Sequence, residues 1–163
     1  MAKGHSNRRS AARRASSDDA IALLKADHQN VSAMFERFER SRQESVKDDL
    51  AQKICDELTV HAAVEEEIFY PAVREKIGDD ELMDEAAVEH ASAKMLIGEI
   101  GKGRRGNDMF DAKVTVLGEY VKHHVKEEQN EIFPKARKSS VDLKDVGARI
   151  RRRKEGLTAK RPT

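Results

Sequence analysis

The chain has 163 residues, of which 38% are hydrophobic and 37% are Asp, Glu, Lys or Arg, with five Phe, two Tyr and no Trp. This balance suits one helical domain with an aliphatic and alanine core, and no apolar run approaches the ~18 residues that a membrane span needs. One cysteine, Cys55, excludes an intramolecular disulfide framework and suits a reducing, cytoplasmic setting. The net charge of +1 hides an uneven spread. Residues 1–17 hold five basic residues and no acid, and residues 149–163 hold seven basic residues against Glu155. Of the 31 basic and 30 acidic residues, 19 and 29 therefore fall in 18–148, an acidic body between basic ends.

Residues 1–17 are small, polar and basic, and read as a disordered tail. Ser16, Ser17 and Asp18 are N-cap candidates for a helix running to about Arg42. Its apolar stripe, Ile21, Leu24, Val31, Phe35 and Phe38, includes His28. A second helix, from about Val46 to Lys76 with Ser45 as cap, puts Leu50, Ile54, Leu58, His61, Val64, Glu65, Ile68 and Ala72 on one broad face. Pro71 is expected to kink that helix or end its regular part. Gly78-Asp79-Asp80 marks a turn and a new cap.

The third helix, about 80–100, shows Met83, Ala86, Ala87, His90, Ala93, Ile97 and Ile100. GKGRRGN at 101–107 reads as a flexible connector. The fourth helix, about 108–137, shows Phe110, Val114, Leu117, Val121, His124, Glu128 and Ile132. Residues 139–163 form a basic extension with a short helix over 142–154 that carries Val146 and Ile150. Four long helices with short loops predict an all-α, up-down-up-down antiparallel four-helix bundle over 18–138.

The two halves of the bundle repeat each other. His28 to His90 is a step of 62, while His61 to His124, Glu65 to Glu128 and Pro71 to Pro134 are steps of 63. HAAVEEEIFYP at 61–71 matches HVKEEQNEIFP at 124–134 in its His, the Glu four later, two apolar residues and the Pro. Residues four apart share a helix face, so His61 and Glu65 point at one place, as do His124 and Glu128. Each of the four His also lies seven residues after an apolar residue (Ile21, Ile54, Met83 and Leu117), which puts it on the stripe that faces the core.

A carboxylate buried in such a core is very costly unless something compensates it. Four His and two Glu at one level must shift their ionisation strongly or bind cations. Six donors exceed a closed tetrahedral zinc site. Two first-row metals bridged by the carboxylates suit the set better. The mixed nitrogen and oxygen donors favour iron, with zinc and manganese as alternatives. His5 lies in the tail, His123 is one residue off the stripe, and Glu66, Glu67 and Glu127 read as solvated or supporting groups. Cys55 reads as a packed thiol, and Tyr120 as a packing residue unless it serves proton or electron transfer.

These residues resemble the hemerythrin HHE cation-binding family, over about 19–137. The resemblance rests on DHQNV at 27–31, HAAVEEEIFYP at 61–71, EHASAK at 89–94 and HHVKEEQNEIFP at 123–134. It implies four helices around a bridged non-haem di-iron site, in proteins that bind dioxygen, sense oxygen, nitric oxide, redox state or iron, or protect against oxidants. By motif, His28, His61, His90 and His124 would be ligands from the four successive helices, and Glu65 and Glu128 the bridging carboxylates. Two positions depart from the oxygen carriers. Lys94 stands where their third helix has a second His, and Glu128 is followed by Gln129 where they place an Asp. Both departures turn the expectation from oxygen transport toward sensing, iron handling or peroxide chemistry.

The resulting expectation is a metal protein with two iron ions that responds to a small ligand such as dioxygen, nitric oxide or peroxide. The alternatives are a di-iron enzyme that decomposes peroxide or oxidises iron, and a metal-free helical module whose basic tails bind polyanions. Neither tail interleaves aromatics with its basic residues, so sequence-specific nucleic-acid recognition is not expected.

Overall fold

Asp19 opens the first helix. Its carboxylate accepts a bond from the Ala22 N–H at 2.9 Å, satisfying one of the free donors of the first turn. The computed structural model describes residues 19–160. The cap candidates Ser16, Ser17 and Asp18 and the basic tail at 1–17 lie outside the described residues.

From Asp19 the chain forms α1 (Ala20–Arg40) and α2 (Glu44–Val64). The second rod then widens into a π-helical turn, π1 (Glu65–Phe69), and continues as α3 (Tyr70–Ile77). After a turn come α4 (Asp80–Ile100) and α5 (Phe110–Glu127), the latter extended by π2 (Glu128–Ile132) and α6 (Phe133–Lys138). The described chain closes with α7 (Leu143–Ala159). Packing runs α1 on α2, α2 on α4, α4 on α5 and α5 on α1, so the four long rods form a closed ring. This is the four-helix bundle expected from the sequence.

Pro71 neither ends nor breaks the second rod. Its missing N–H and its ring are incompatible with a regular turn against the carbonyl four residues back. The chain answers by widening the preceding turn, so that the Tyr70 N–H reaches the Glu65 carbonyl five residues back. Pro134 sits behind the same device, with the Phe133 N–H on the Glu128 carbonyl. Other boundaries also differ from expectation. Ser45 lies inside α2, which begins at Glu44, an acid that suits the positive end of a helix. Ala87 is exposed, and Leu82 is buried in its stead.

Asp79 caps α4 by accepting from the Leu82 N–H at 3.2 Å, after Gly78 takes the left-handed conformation that ends α3 (φ 65°). The 101–107 connector is tied down. The Arg104 guanidinium bonds Asp48 at 2.7 Å and Asp111 at 2.8 Å.

The core has two apolar clusters. One gathers Ile21, Leu24, Phe69, Val73, Met83 and Phe133, and α7 adds Val146 and Ile150 to it. The other gathers Phe38, Ile54, Ile100, Phe110, Val114 and Leu117. Ile21, Ile54, Met83 and Leu117, seven residues before the four His, are all buried. The extension that carries α7 thus packs against the bundle. Among the described residues no helix is long and apolar enough to cross a membrane.

Candidate metal centre

Between the two clusters, each rod turns polar side chains inward: His28 from α1, His61 from α2, Glu65 opening π1, His90 from α4, His124 from α5 and Glu128 opening π2. Glu65 and Glu128 are completely buried. Their four oxygens divide evenly. Glu65 meets His61 Nε2 with Oε1 at 2.9 Å and His90 Nε2 with Oε2 at 3.0 Å. Glu128 meets His28 Nε2 with Oε2 at 3.1 Å and His124 Nε2 with Oε1 at 3.2 Å. Two donor sets result, His28–His61–Glu65–Glu128 and His90–His124–Glu65–Glu128, each with its donor atoms within 4.8 Å of one another. The structure therefore brings together all six residues singled out from the repeat, with each carboxylate common to both sets.

Four of these atoms, His28 Nε2, His61 Nε2, Glu65 Oε1 and Glu128 Oε2, are buried and make no hydrogen bond. They approach within 2.9–3.1 Å as ion pairs but are not aligned as donor and acceptor. Buried polar atoms without partners are rare and costly. Two imidazole nitrogens and two carboxylate oxygens facing one another are a donor set that fits a divalent cation.

The electrostatics are correspondingly extreme. Burial alone would lower the His61 pKa. The Glu65 charge, the bond to Asp27 and the close Glu65 carboxylate outweigh it and push His61 up to about 10. His124 behaves alike: against the burial cost, the nearby Glu128 and Glu65 carboxylates and its bond to Glu89 push it up to about 12. For Glu65, burial works upward, but the His61 charge and the close imidazoles of His124, His61 and His90 hold it well below the ordinary carboxylate range.

The repeat extends to what holds the imidazoles. Asp27 Oδ2 meets His61 Nδ1 at 3.0 Å, and Glu89 Oε2 meets His124 Nδ1 at 2.9 Å. Asp27 and Glu89 each immediately precede a donor His and lie 62 residues apart. Glu66 Oε2 meets His90 Nδ1 at 3.4 Å, and the Gln129 side chain meets His28 Nδ1 at 3.4 Å. Glu66 and Gln129 each follow a shared Glu and lie 63 residues apart. A carboxylate on Nδ1 of His61, His90 and His124 leaves Nε2 directed inward, where a metal could replace its proton, while at His28 the Gln129 amide nitrogen faces Nδ1. Lys94 bonds Glu66 Oε1 at 2.6 Å, so it acts on the group that holds His90. Glu67, expected to be solvated or supporting, pairs with Arg153. Glu127 lies beside Glu89, which raises its carboxyl to about 7.

Tyr70 escaped the sequence reading. Its hydroxyl is at the centre, donating to Glu128 Oε1 at 2.5 Å and Glu65 Oε2 at 3.2 Å, and within 3.0 Å of His124 Nε2 and 3.1 Å of His90 Nε2. Burial, followed by the charges of Glu65 and Glu128, pushes its pKa well above that of an ordinary phenol. The 63-residue step equates Tyr70 with Phe133, whose ring stacks on His28 with 5.9 Å between centroids. At this position the two halves differ by one hydroxyl. The pairing was visible in the repeat, but Tyr70 is five residues from Glu65 and faces the same point only through the π turn.

Other candidates lie apart. His123 is largely exposed beside Glu127. Cys55 is buried, and burial followed by the Asp56 charge raises its thiol to about 11, which makes it unreactive. Tyr120 is half exposed and borders a cavity of about 50 Å³ that adjoins all four donor His and is otherwise walled by Val31, Leu58, Ile97 and Val121 among others.

The comparisons with known proteins agree with this geometry. The family described as Hemerythrin HHE cation binding domain matches residues 19–136. A crystal structure of a hemerythrin HHE cation binding domain-containing protein from Mycobacterium kansasii superposes with a TM-score of 0.71 at 17% identity, covering 86% of this chain and 88% of that one. A curated protein named DNA nickase, from Nostoc sp., is 28% identical over 111 residues, which is 68% of this chain and 31% of that protein. The chain thus spans about a third of the length of that relative.

Proposed function

The chain belongs to the hemerythrin HHE cation-binding family, and from that premise we propose that it holds two non-haem iron ions and responds through them to a small ligand such as dioxygen, nitric oxide or peroxide. His28 and His61 would hold one ion and His90 and His124 the other, with Glu65 and Glu128 common to both donor groups. The observation that carries the reading is the division of the two buried carboxylates between both imidazole pairs, with four buried donor atoms left unbonded. Zinc or manganese is the alternative occupant of the same donors. Bound iron would supply one-electron chemistry and an affinity for diatomic ligands and peroxide.

The chain's own residues suit that role. The apolar cavity beside the histidines admits a small ligand while the two apolar clusters exclude bulk water. Asp27, Glu89 and Glu66 orient the imidazoles. The Tyr70 hydroxyl places a hydrogen-bond donor among Glu65, Glu128, His90 and His124. Lys94, in place of a further histidine, leaves this reading on the side of sensing, iron handling or peroxide chemistry. Loading metal-free protein with ferrous iron anaerobically, and then admitting nitric oxide or peroxide, tests it. Spectral changes in the wild type that vanish in Glu65→Ala support the reading, and identical behaviour in both rejects it. Steady peroxide turnover above that of free iron would select the enzymatic form.

The likeness to a protein named DNA nickase motivates a second reading, in which the exposed Arg151 and Arg152 of α7 contact nucleic-acid phosphates. A salt-sensitive DNA mobility shift that is lost in Arg151→Ala/Arg152→Ala supports this reading, and no shift at low salt rejects it.

A further inference from the structure

The three supporting carboxylates differ in what fixes them. Glu66 is bonded by Lys94 of the ring helix α4, and Glu89 lies against α5 of the same ring. Asp27 is bonded from outside the ring. Its Oδ2 takes His61 Nδ1, while its Oδ1 accepts from the Lys154 ammonium of α7. Both partners are shielded, with side chains 14% and 27% exposed for Asp27 and Lys154. A charge-assisted bond there is stronger than one in open water.

Lys154 is delivered to this place by packing. Val146, Ile150 and Lys154 are spaced by four along α7 and therefore share a face. Val146 and Ile150 are buried in the cluster that holds Phe69 and Phe133, and Leu157 packs at its edge. The helix is thus anchored one turn before Lys154 and again just after it. Beside it, Arg153 bonds Glu67 of π1 at 2.7 Å and 3.2 Å. That pair is open to solvent and among the described residues makes no hydrogen bond to Asp27, Glu66 or Glu89, so it matches Lys154 in charge and helix but not in connection.

We propose that Lys154 is a positioning residue for the metal centre, acting through Asp27 to fix the tautomer and ring orientation of His61, so that metal retention by the His28–His61 half depends on the seating of α7. This rests on the two-metal reading. A carboxylate bonded on both oxygens cannot rotate away from the imidazole, and the Nδ1 proton then stays on the side of Asp27. With Lys154 gone, Asp27 has, among the described residues, only His61 to hold it, and water competes for the freed oxygen. Outer partners of metal-bound histidines typically contribute about 10- to 100-fold in metal affinity. The effect should fall on one half only, because the His90–His124 half is oriented by Glu66 and Glu89.

The test uses the full chain and the variants Lys154→Met, Lys154→Arg and Arg153→Met. Metal-free protein is loaded with cobalt(II), and release to a chelator is followed through the cobalt absorption bands. In Lys154→Met, one release phase is expected to accelerate about tenfold while the other stays within about twofold of wild type. Lys154→Arg is expected to restore the slow phase, and Arg153→Met to leave both phases unchanged. A second readout needs no metal. The slowly exchanging Nδ1 proton of His61, seen by NMR, is expected in wild type, Lys154→Arg and Arg153→Met and lost in Lys154→Met. Unchanged release phases in Lys154→Met, equal acceleration of both, or a retained His61 proton signal would overturn the proposal. A wild type that takes up no cobalt would instead overturn the two-metal reading, and the NMR signal would still decide whether Lys154 positions His61.

Discussion

Metal-free protein should lose stability as the pH rises through the mildly alkaline range, the reverse of what acid-labile carboxylates alone would give. His61 and His124 are pushed to about 10 and about 12 in the fold, against 6.5 for an ordinary histidine. Both are therefore protonated when folded and neutral when unfolded between about pH 7 and about pH 9. The folded state binds more protons there, so stability falls with pH, by about 1.4 kcal/mol per pH unit per group. For two groups this is roughly 3 kcal/mol per unit, or on the order of 5 kcal/mol over the window, comparable with the whole stability of a small domain. The stabilisation is complete below the unfolded value and is lost as pH passes the folded values. Glu65 does not alter the sign. Its lowered pKa gives stability that is lost only as pH falls, well below this window. Urea unfolding of chelator-treated protein at several pH values measures the slope, and His124→Gln should roughly halve it. A flat or rising profile would refute the assignment of buried imidazolium–carboxylate pairs.

With metal bound the dependence should reverse, because the metal displaces the protons on His61 and His124, so its affinity should rise with pH and its binding should release protons, both measurable by calorimetry in buffers of different ionisation enthalpy. Glu65→Ala removes an oxygen from both donor sets and should cost both metals, whereas His28→Ala should weaken one, as elemental analysis of each variant would tell. Tyr70→Phe leaves Glu65 and Glu128 without a hydroxyl donor and should destabilise metal-free protein by about 1–3 kcal/mol in urea unfolding. Leu117→Ala empties a fully buried position away from the donors and should cost about 2–5 kcal/mol while leaving metal content unchanged.

The bundle was legible because each rod carries a 3–4 apolar stripe, and the six donors because a 62- or 63-residue step aligns them. The residues around them were harder to read. Asp27 and Glu89, and Glu66 and Gln129, obey the same steps, yet their role depends on where each Nδ1 points, which spacing alone does not fix. Tyr70 was hidden by the π turn, since a regular helix would set a residue five places after Glu65 on a different face. Pro71 and Pro134 signalled an irregularity but not its kind. Widening the turn keeps the rods continuous while accommodating a residue without an N–H. The role of Lys94 followed only from Glu66, which comes from another rod. The docking of α7 was foreshadowed by Val146 and Ile150, but that Lys154, four residues beyond Ile150, reaches Asp27 is a matter of how the helix seats.

The central claim is tested most directly by the metal content and absorption spectrum of protein purified in air and again after anaerobic reduction. About two irons per chain, with near-ultraviolet and visible ferric bands that bleach on reduction and are absent from Glu65→Ala, is the result expected of two ions sharing Glu65 and Glu128. A chain that takes up no iron on anaerobic reconstitution, or that holds a single zinc with no visible bands, would contradict it.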